Sequence, residues 1–324
     1  MKYPNFIKKN SNIGVCALSA GVGNRLEDYL TSVNVLINSG YNVVETSSVR
    51  NNSDRSNDAL SRARELDQLI TNKNIDMVMC ACGGDYQLET VPLINYEHIK
   101  KNPKWIMGAS DPTNLLFTVT TKLDIATLYG LNACSYSSKE KLEIENNLSM
   151  LKGKLVKQVA SKSHIDFIDS INDINKRKKT KWKPSQAINT SGRCIGGCLD
   201  VIAKLIGTKY DYTNMFLKKY KNDGFIWYFD NFALDTYNTY LTLLQFKNAG
   251  WFDNCKCVLF GRVAFPSNQN CQIKTYEEAY KLALGDIPYI SEMDISHSKP
   301  KMTMINGAIV KVSTKDNSIK FELR

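Results

Sequence analysis

The stretch Trp105-Ile106-Met107-Gly108-Ala109-Ser110-Asp111-Pro112-Thr113-Asn114-Leu115-Leu116-Phe117 decides the fold. An apolar run, a glycine turn, Asp-Pro and a second apolar run read as strand, sharp turn and helix start. Asp111 suits the N-cap, and Pro112 suits the first helical position, where its missing N–H costs nothing. Ser110 is then expected at the mouth of a helix, where free backbone N–H groups and the positive dipole end favour developing negative charge. A nucleophilic serine belongs there, and so does a plain serine in a strand-to-helix turn. The Gly-x-Ser-x-Gly elbow of the α/β-hydrolases is excluded, because position 112 is Pro.

Outward from this turn, residues 12–135 alternate strand-like and helix-like segments. Residues 13–18, 41–45 and 75–81 are strand candidates. Helices are expected over 25–39, with Leu26, Leu30, Val33 and Leu36 near one face, and over 54–72, with Leu60, Ala63, Leu66 and Ile70 together. Strands separated by helices predict a parallel, Rossmann-like or flavodoxin-like α/β domain, with active residues at the carboxyl ends of its strands. Two glycine pairs lie at such ends. Gly21-Val22-Gly23 lacks the third glycine of a dinucleotide fingerprint, since position 26 is Leu, and supports no cofactor. Cys82-Gly83-Gly84-Asp85-Tyr86 is either a tight turn or a loop that points N–H groups into a cleft.

Further along, 138–151 reads as helical and 161–191 as a polar, basic linker or loop region. Residues 195–206 form an apolar segment with glycines, 224–230 a strand ending in Asp230, 237–248 a helix stopped by Gly250, and 257–261 a buried strand. The final forty or so residues read as short strands. The expected division is an α/β domain over 1–160, the basic region 161–191, and a smaller mixed α/β domain over 192–324.

A chain of 324 residues, 43% hydrophobic and 23% charged, can bury two ordinary cores. No signal-like N-terminus and no run of about eighteen apolar residues occur, so a cytoplasmic protein with no membrane association is the expectation. Nine cysteines without a C-x-x-C pair, beside three histidines, argue against a metal site and for reduced, mostly buried thiols. The formal charge of +10 raises nucleic acid as a partner. The only dense cluster, Lys176-Arg177-Lys178-Lys179 with Lys181 and Lys183, reads instead as a solvated loop without a nucleic-acid module around it.

Several segments resemble one family in number and order. They are Gly108 to Thr113, the Gly83-Gly84 turn, and the glycine-rich block Gly192 to Leu199 with Gly207-Thr208. Phe229-Asp230, Leu241 to Phe252 and Leu259-Phe260-Gly261-Arg262 follow, then Asp294-Ile295-Ser296-His297 with Pro300 and Asn306-Gly307-Ala308. Over nearly the whole chain this pattern resembles the LD-carboxypeptidase family of serine peptidases, which includes microcin C self-immunity peptidases. The resemblance implies a cofactor-free, homodimeric amide hydrolase with Ser110 as nucleophile and His297 as base. It puts Asp230 where the family carries glutamate, and the backbone N–H groups of Gly84 and Asp111 in the oxyanion hole. The implied substrates are a cell-wall L,D-peptide or a peptidyl or aminoacyl nucleotide.

Asp85 and Trp182 are candidates to touch that substrate, Trp182 because it lies in the basic segment. Trp227 is expected in the core, although with Trp251 and the Asp85 turn it leans towards the microcin-immunity branch. His98 and His164 belong to no motif and are expected at the surface. Aspartate is one methylene shorter than glutamate, so the alternative is a catalytically weakened homologue that binds peptide or nucleotide fragments.

Overall fold

The structure, a computed structural model, describes residues 1–172, 176–268 and 270–324. It divides into two compact units, Met1–Lys154 with Thr303–Gly307, and Leu155–Met302 with Ala308–Arg324.

In the first unit β1 (Asn12–Cys16), β2 (Asn42–Glu45), β3 (Met77–Cys80), β4 (Trp105–Gly108) and β5 (Thr127–Tyr129) are parallel neighbours in the order β2-β1-β3-β4-β5. This is the flavodoxin-like order, with its switch point between β1 and β3. The sheet is closed at the β5 edge by an antiparallel strand from much later in the chain, Met304–Asn306. β3, β4 and β5 are buried throughout, which is why their sequences run apolar rather than alternating.

The helices are α1 (Leu26–Asn38), α2 (Ala59–Thr71), α3 (Tyr96–Lys101), α4 (Thr113–Leu123) and α5 (Lys141–Leu151). α2 starts at 59 rather than 54 because the Asp58 carboxylate caps it, accepting from the Ser61 N–H at 2.9 Å. α4 starts differently from the expectation. Its N-cap is Pro112, with no side-chain cap, and the Asp111 carboxylate is engaged elsewhere.

In the second unit β6 (Gln158–Val159), β7 (Ser163–His164), α6 (Phe167–Asn172), β8 (Lys178–Lys179) and β9 (Lys183–Pro184) come first. They are followed by β10 (Asn189–Cys198), α7 (Leu199–Ile202), α8 (Thr213–Lys219), β11 (Phe225–Asp230), α9 (Thr236–Asn248), β12 (Cys255–Gly261), α10 (Tyr276–Leu284) and β13 (Tyr289–Met293). The chain then supplies β14, the Met304–Asn306 strand of the first unit, and returns for β15 (Ile309–Ser313) and β16 (Ser318–Glu322).

The sheet runs β6-β16-β15-β10-β11-β12-β13-β9, parallel from β10 to β13 and antiparallel at both flanks. With eight strands against six it is the larger sheet. Its core stacks aromatic rings: Trp227 on Trp251 at 5.5 Å between centroids, Phe246 on Trp251 at 4.4 Å, and Phe260 on Tyr280 at 3.7 Å. The two tryptophans are thus core residues.

The region 161–191 is not a linker. Its described residues belong to the second unit and contribute β7, β8, β9 and α6, while residues 173–175 lie outside the described residues. Polar pairs hold it where apolar periodicity is missing. Lys176 and Lys178 pair with Asp169, Lys178 also with Asp166, and Lys183 with Glu277 at 2.8 Å. Lys176, Lys178 and Lys183 of the basic cluster are therefore paired within their own unit. His164, expected outside, is buried with Nδ1 3.1 Å from the Thr180 hydroxyl.

All nine cysteines are free thiols, six of them buried. Among the described residues no helix is long and apolar enough to cross a membrane. Nor do three or more His, Cys, Asp or Glu side chains converge as a metal site among them.

Candidate active site

Ser110 follows β4 directly and adopts φ +68°, a left-handed conformation that costs a non-glycine residue on the order of 1–3 kcal/mol. The surroundings hold it there. Asn132 clamps the preceding residue from both sides, its Oδ1 accepting from the Ala109 N–H at 2.9 Å and its Nδ2 donating to the Ala109 carbonyl at 3.2 Å. The Ser110 N–H donates to the Tyr129 hydroxyl at 3.2 Å. The chain then turns sharply, and a Cβ on Gly108 would stand 2.6 Å from the Pro112 Cβ.

The result is a half-exposed hydroxyl at the carboxyl edge of the sheet, with no hydrogen-bond partner among the described residues. It leans over Gly83, where an added Cβ would meet the Ser110 Cβ at 3.0 Å and its Oγ at 3.3 Å. Gly84 has φ +141° and room for no side chain, since a Cβ would lie 2.4 Å from the Ser19 Oγ. The Gly83-Gly84 pair is therefore required for close approach to the serine as well as for its turn. Asp85, beside it, is exposed.

Two buried charges hold these loops. The Asp111 carboxylate is 3% exposed and accepts from the Ser19 hydroxyl at 2.5 Å, the Gln87 N–H at 2.7 Å and the Asn114 Nδ2 at 2.9 Å. The Arg62 guanidinium, fully buried, donates to the carbonyls of Leu18 at 2.8 Å and Tyr86 at 3.0 Å, and pairs with Glu89 at 2.6 Å. Arg62 escaped the sequence reading. Its signal was an arginine four residues before Leu66, on the face of α2 assigned to the core.

In the second unit Asp230 ends β11, 1% exposed, and its Oδ1 lies 2.9 Å from the His297 Nδ1. His297 Nε2 is buried and has no partner among the described residues. Phe232 and Phe167 wall the imidazole at centroid distances of 4.6 and 5.8 Å. Apolar walls and a carboxylate on one nitrogen leave the other nitrogen buried and without a partner among the described residues.

The segment carrying His297 passes very close to the end of β12. A Cβ on Gly261 would stand 1.7 Å from the Ile295 carbonyl oxygen, so only glycine fits. Arg262 and Asp294, both 2% exposed at the side chain, form an ion pair beneath the segment. Asp294 also accepts from the Ser161 hydroxyl at 2.8 Å and the Trp182 indole N–H at 3.1 Å. Trp182 is therefore not an exposed ring awaiting a substrate. It is buried, and its polar edge is spent on Asp294.

Residues 13–130 match the family description "LD-carboxypeptidase N-terminal domain", and residues 191–312 match "LD-carboxypeptidase C-terminal domain". Among curated proteins the chain is similar to the microcin C7 self-immunity protein MccF of Escherichia coli. The two are 24% identical over 283 residues, which span 82% of this chain and 79% of the relative. It is also similar to a "Probable murein peptide carboxypeptidase" of Bacillus subtilis, 19% identical over 265 residues, 81% of this chain and 76% of the relative.

Among solved structures it shares the fold of MccF in complex with aspartyl sulfamoyl adenosine, with a TM-score of 0.86 at 21% identity over 99% of this chain and 98% of the other. An MccF-like protein from Bacillus anthracis gives a TM-score of 0.84 at 22% identity over the full length of both chains.

Proposed function

The chain belongs to the LD-carboxypeptidase family and is a serine-type peptidase, and on that premise we propose that Ser110, His297 and Asp230 form its catalytic triad. The observation that carries this reading is the Asp230–His297 pair, 2.9 Å apart at Nδ1 with Nε2 left without a partner. A carboxylate at Nδ1 fixes the tautomer whose Nε2 lone pair accepts a proton, and it stabilises the imidazolium that follows. In the proposed reaction Nε2 takes the Ser110 proton as Oγ attacks the amide carbonyl. His297 then returns that proton to the leaving amine, and water hydrolyses the acyl-enzyme by the same route. The Gly84 and Asp111 N–H groups would hold the oxyanion, each worth about 3 kcal/mol in the transition state.

The substrate class we favour is an aminoacyl or peptidyl nucleotide. The similarity to MccF across about four-fifths of both chains supports it, as do neighbouring structures of MccF with aspartyl sulfamoyl adenosine and glutamyl sulfamoyl guanosine. A cell-wall L,D-peptide is the second reading, supported by the murein-peptide relative.

Incubation of the purified protein with aspartyl sulfamoyl adenosine and, separately, with an L,D-tetrapeptide muropeptide distinguishes them by mass spectrometry. Release of aspartate supports the first reading and release of terminal D-alanine the second, in each case only if Ser110→Ala abolishes it. No turnover of either substrate would favour the catalytically weakened homologue, which is tested by binding of the same two compounds.

A further inference from the structure

The side chain of Asp111 has a place of its own, separate from its backbone N–H. It does not cap α4, whose N-cap is Pro112 without a side-chain bond. It is turned the other way, into the loops that follow β1 and β3. Its Oδ2 takes both the Ser19 hydroxyl and the Gln87 N–H, and its Oδ1 takes the Asn114 amide. Ser19 passes the restraint on, because its Oγ accepts from the Tyr86 N–H at 3.2 Å and packs against Gly84. One carboxylate, next in sequence to the nucleophile, thus restrains the glycine loop from both flanks: residue 84 through Ser19, and residues 86 and 87 through hydrogen bonds. Arg62 secures the same two loops with opposite polarity, through the carbonyls of Leu18 and Tyr86.

We propose that the Asp111 carboxylate is a positioning residue of the oxyanion hole, setting the Gly84 N–H against the turn that carries Ser110. The proposal rests on Ser110 being the nucleophile. An ionised carboxylate suits the task because it is acceptor-only and can serve three donors at once. An amide of the same shape turns an NH2 towards at least one of them. A displacement of about 1 Å in a donor loop is enough to cost on the order of a hundredfold in rate.

The test is labelling of the full chain by a fluorophosphonate, whose phosphoryl oxygen takes the place of the oxyanion, read by intact mass over a range of probe concentrations. Asp111→Asn is expected to lower the limiting rate kinact at least about tenfold while leaving the half-saturating concentration within about threefold. Ser19→Ala is expected to lower kinact by less. The double variant should react no more slowly than Asp111→Asn alone, because Ser19 acts through the carboxylate. Ser110→Ala should take no label.

Wild-type protein that takes no label, or label that survives Ser110→Ala, overturns the nucleophile assignment itself. Labelling that depends on Ser110 but keeps wild-type kinact in Asp111→Asn, or losses that multiply in the double variant, overturns the positioning role alone. Should Asp111→Asn fail to fold by circular dichroism, Ser19→Ala decides, and an unchanged kinact there overturns the role.

Discussion

An imidazole held at one nitrogen by a buried carboxylate is sensitive to what that carboxylate is and how far it reaches. Asp230→Asn keeps the shape of the pair but favours the wrong tautomer of His297, and steady-state assays should show kcat lower by about 10³–10⁴-fold. Asp230→Glu restores the residue that the family resemblance implies, yet it lengthens the side chain against an imidazole already met at 2.9 Å. It should lower kcat by roughly 10–100-fold rather than raise it.

The places of Ser110 after β4 and of Asp230 at the end of β11 were legible in the sequence because each closes an apolar run. Trp182 was misplaced because the group that consumes its N–H, Asp294, lies 112 positions away, beyond any local pattern. Arg62 was passed over because helix periodicity assigns a face without saying which polar groups that face must satisfy.

At the scale of single elements, the ends are decided by polar side chains that reach across the fold. Lys104, just before β4, donates to the carbonyls of Leu69 at 2.8 Å and Asn72 at 2.6 Å, closing the C-terminus of α2. Burial pushes its ammonium down to about 8. A lysine lowered in the folded state is a net cost below that pH. As pH rises from about 8 to about 10.5 the unfolded chain binds the extra proton and the cost disappears. Wild-type protein should therefore gain about 2–3 kcal/mol relative to Lys104→Met across that window in urea unfolding.

The Asp294 hub below the His297 segment should respond more strongly. Asp294→Ala leaves the buried Arg262 cation and the Trp182 N–H without their acceptor, and should cost about 3–5 kcal/mol of stability in the same assay. Long periodic elements such as α1 and α9 were readable from sequence. The short strands β7, β8 and β9 were not, because ion pairs and single hydrogen bonds hold them and leave no periodic trace.

For the whole molecule, alternation of strands and helices indicated the parallel sheet of the first unit. Nothing local indicated that Met304–Asn306 would complete that sheet, since a three-residue apolar strand reads alike in either unit. The nine free thiols carry a simple expectation: added dithiothreitol should leave the thermal midpoint within about 1 °C, because no crosslink constrains the unfolded chain.

The returning strand also sets a timetable for synthesis. A ribosome that has reached Met302 has already made the turn carrying Ser110, Asp230 and His297, yet the sheet bearing Ser110 still shows a bare edge along β5. Stalled nascent chains ending at 302 should stay sensitive to protease in residues 1–154, whereas chains carried far enough for 303–307 to leave the exit tunnel should become resistant. Competence at Ser110 would then wait on a strand synthesised after all three of the proposed catalytic residues.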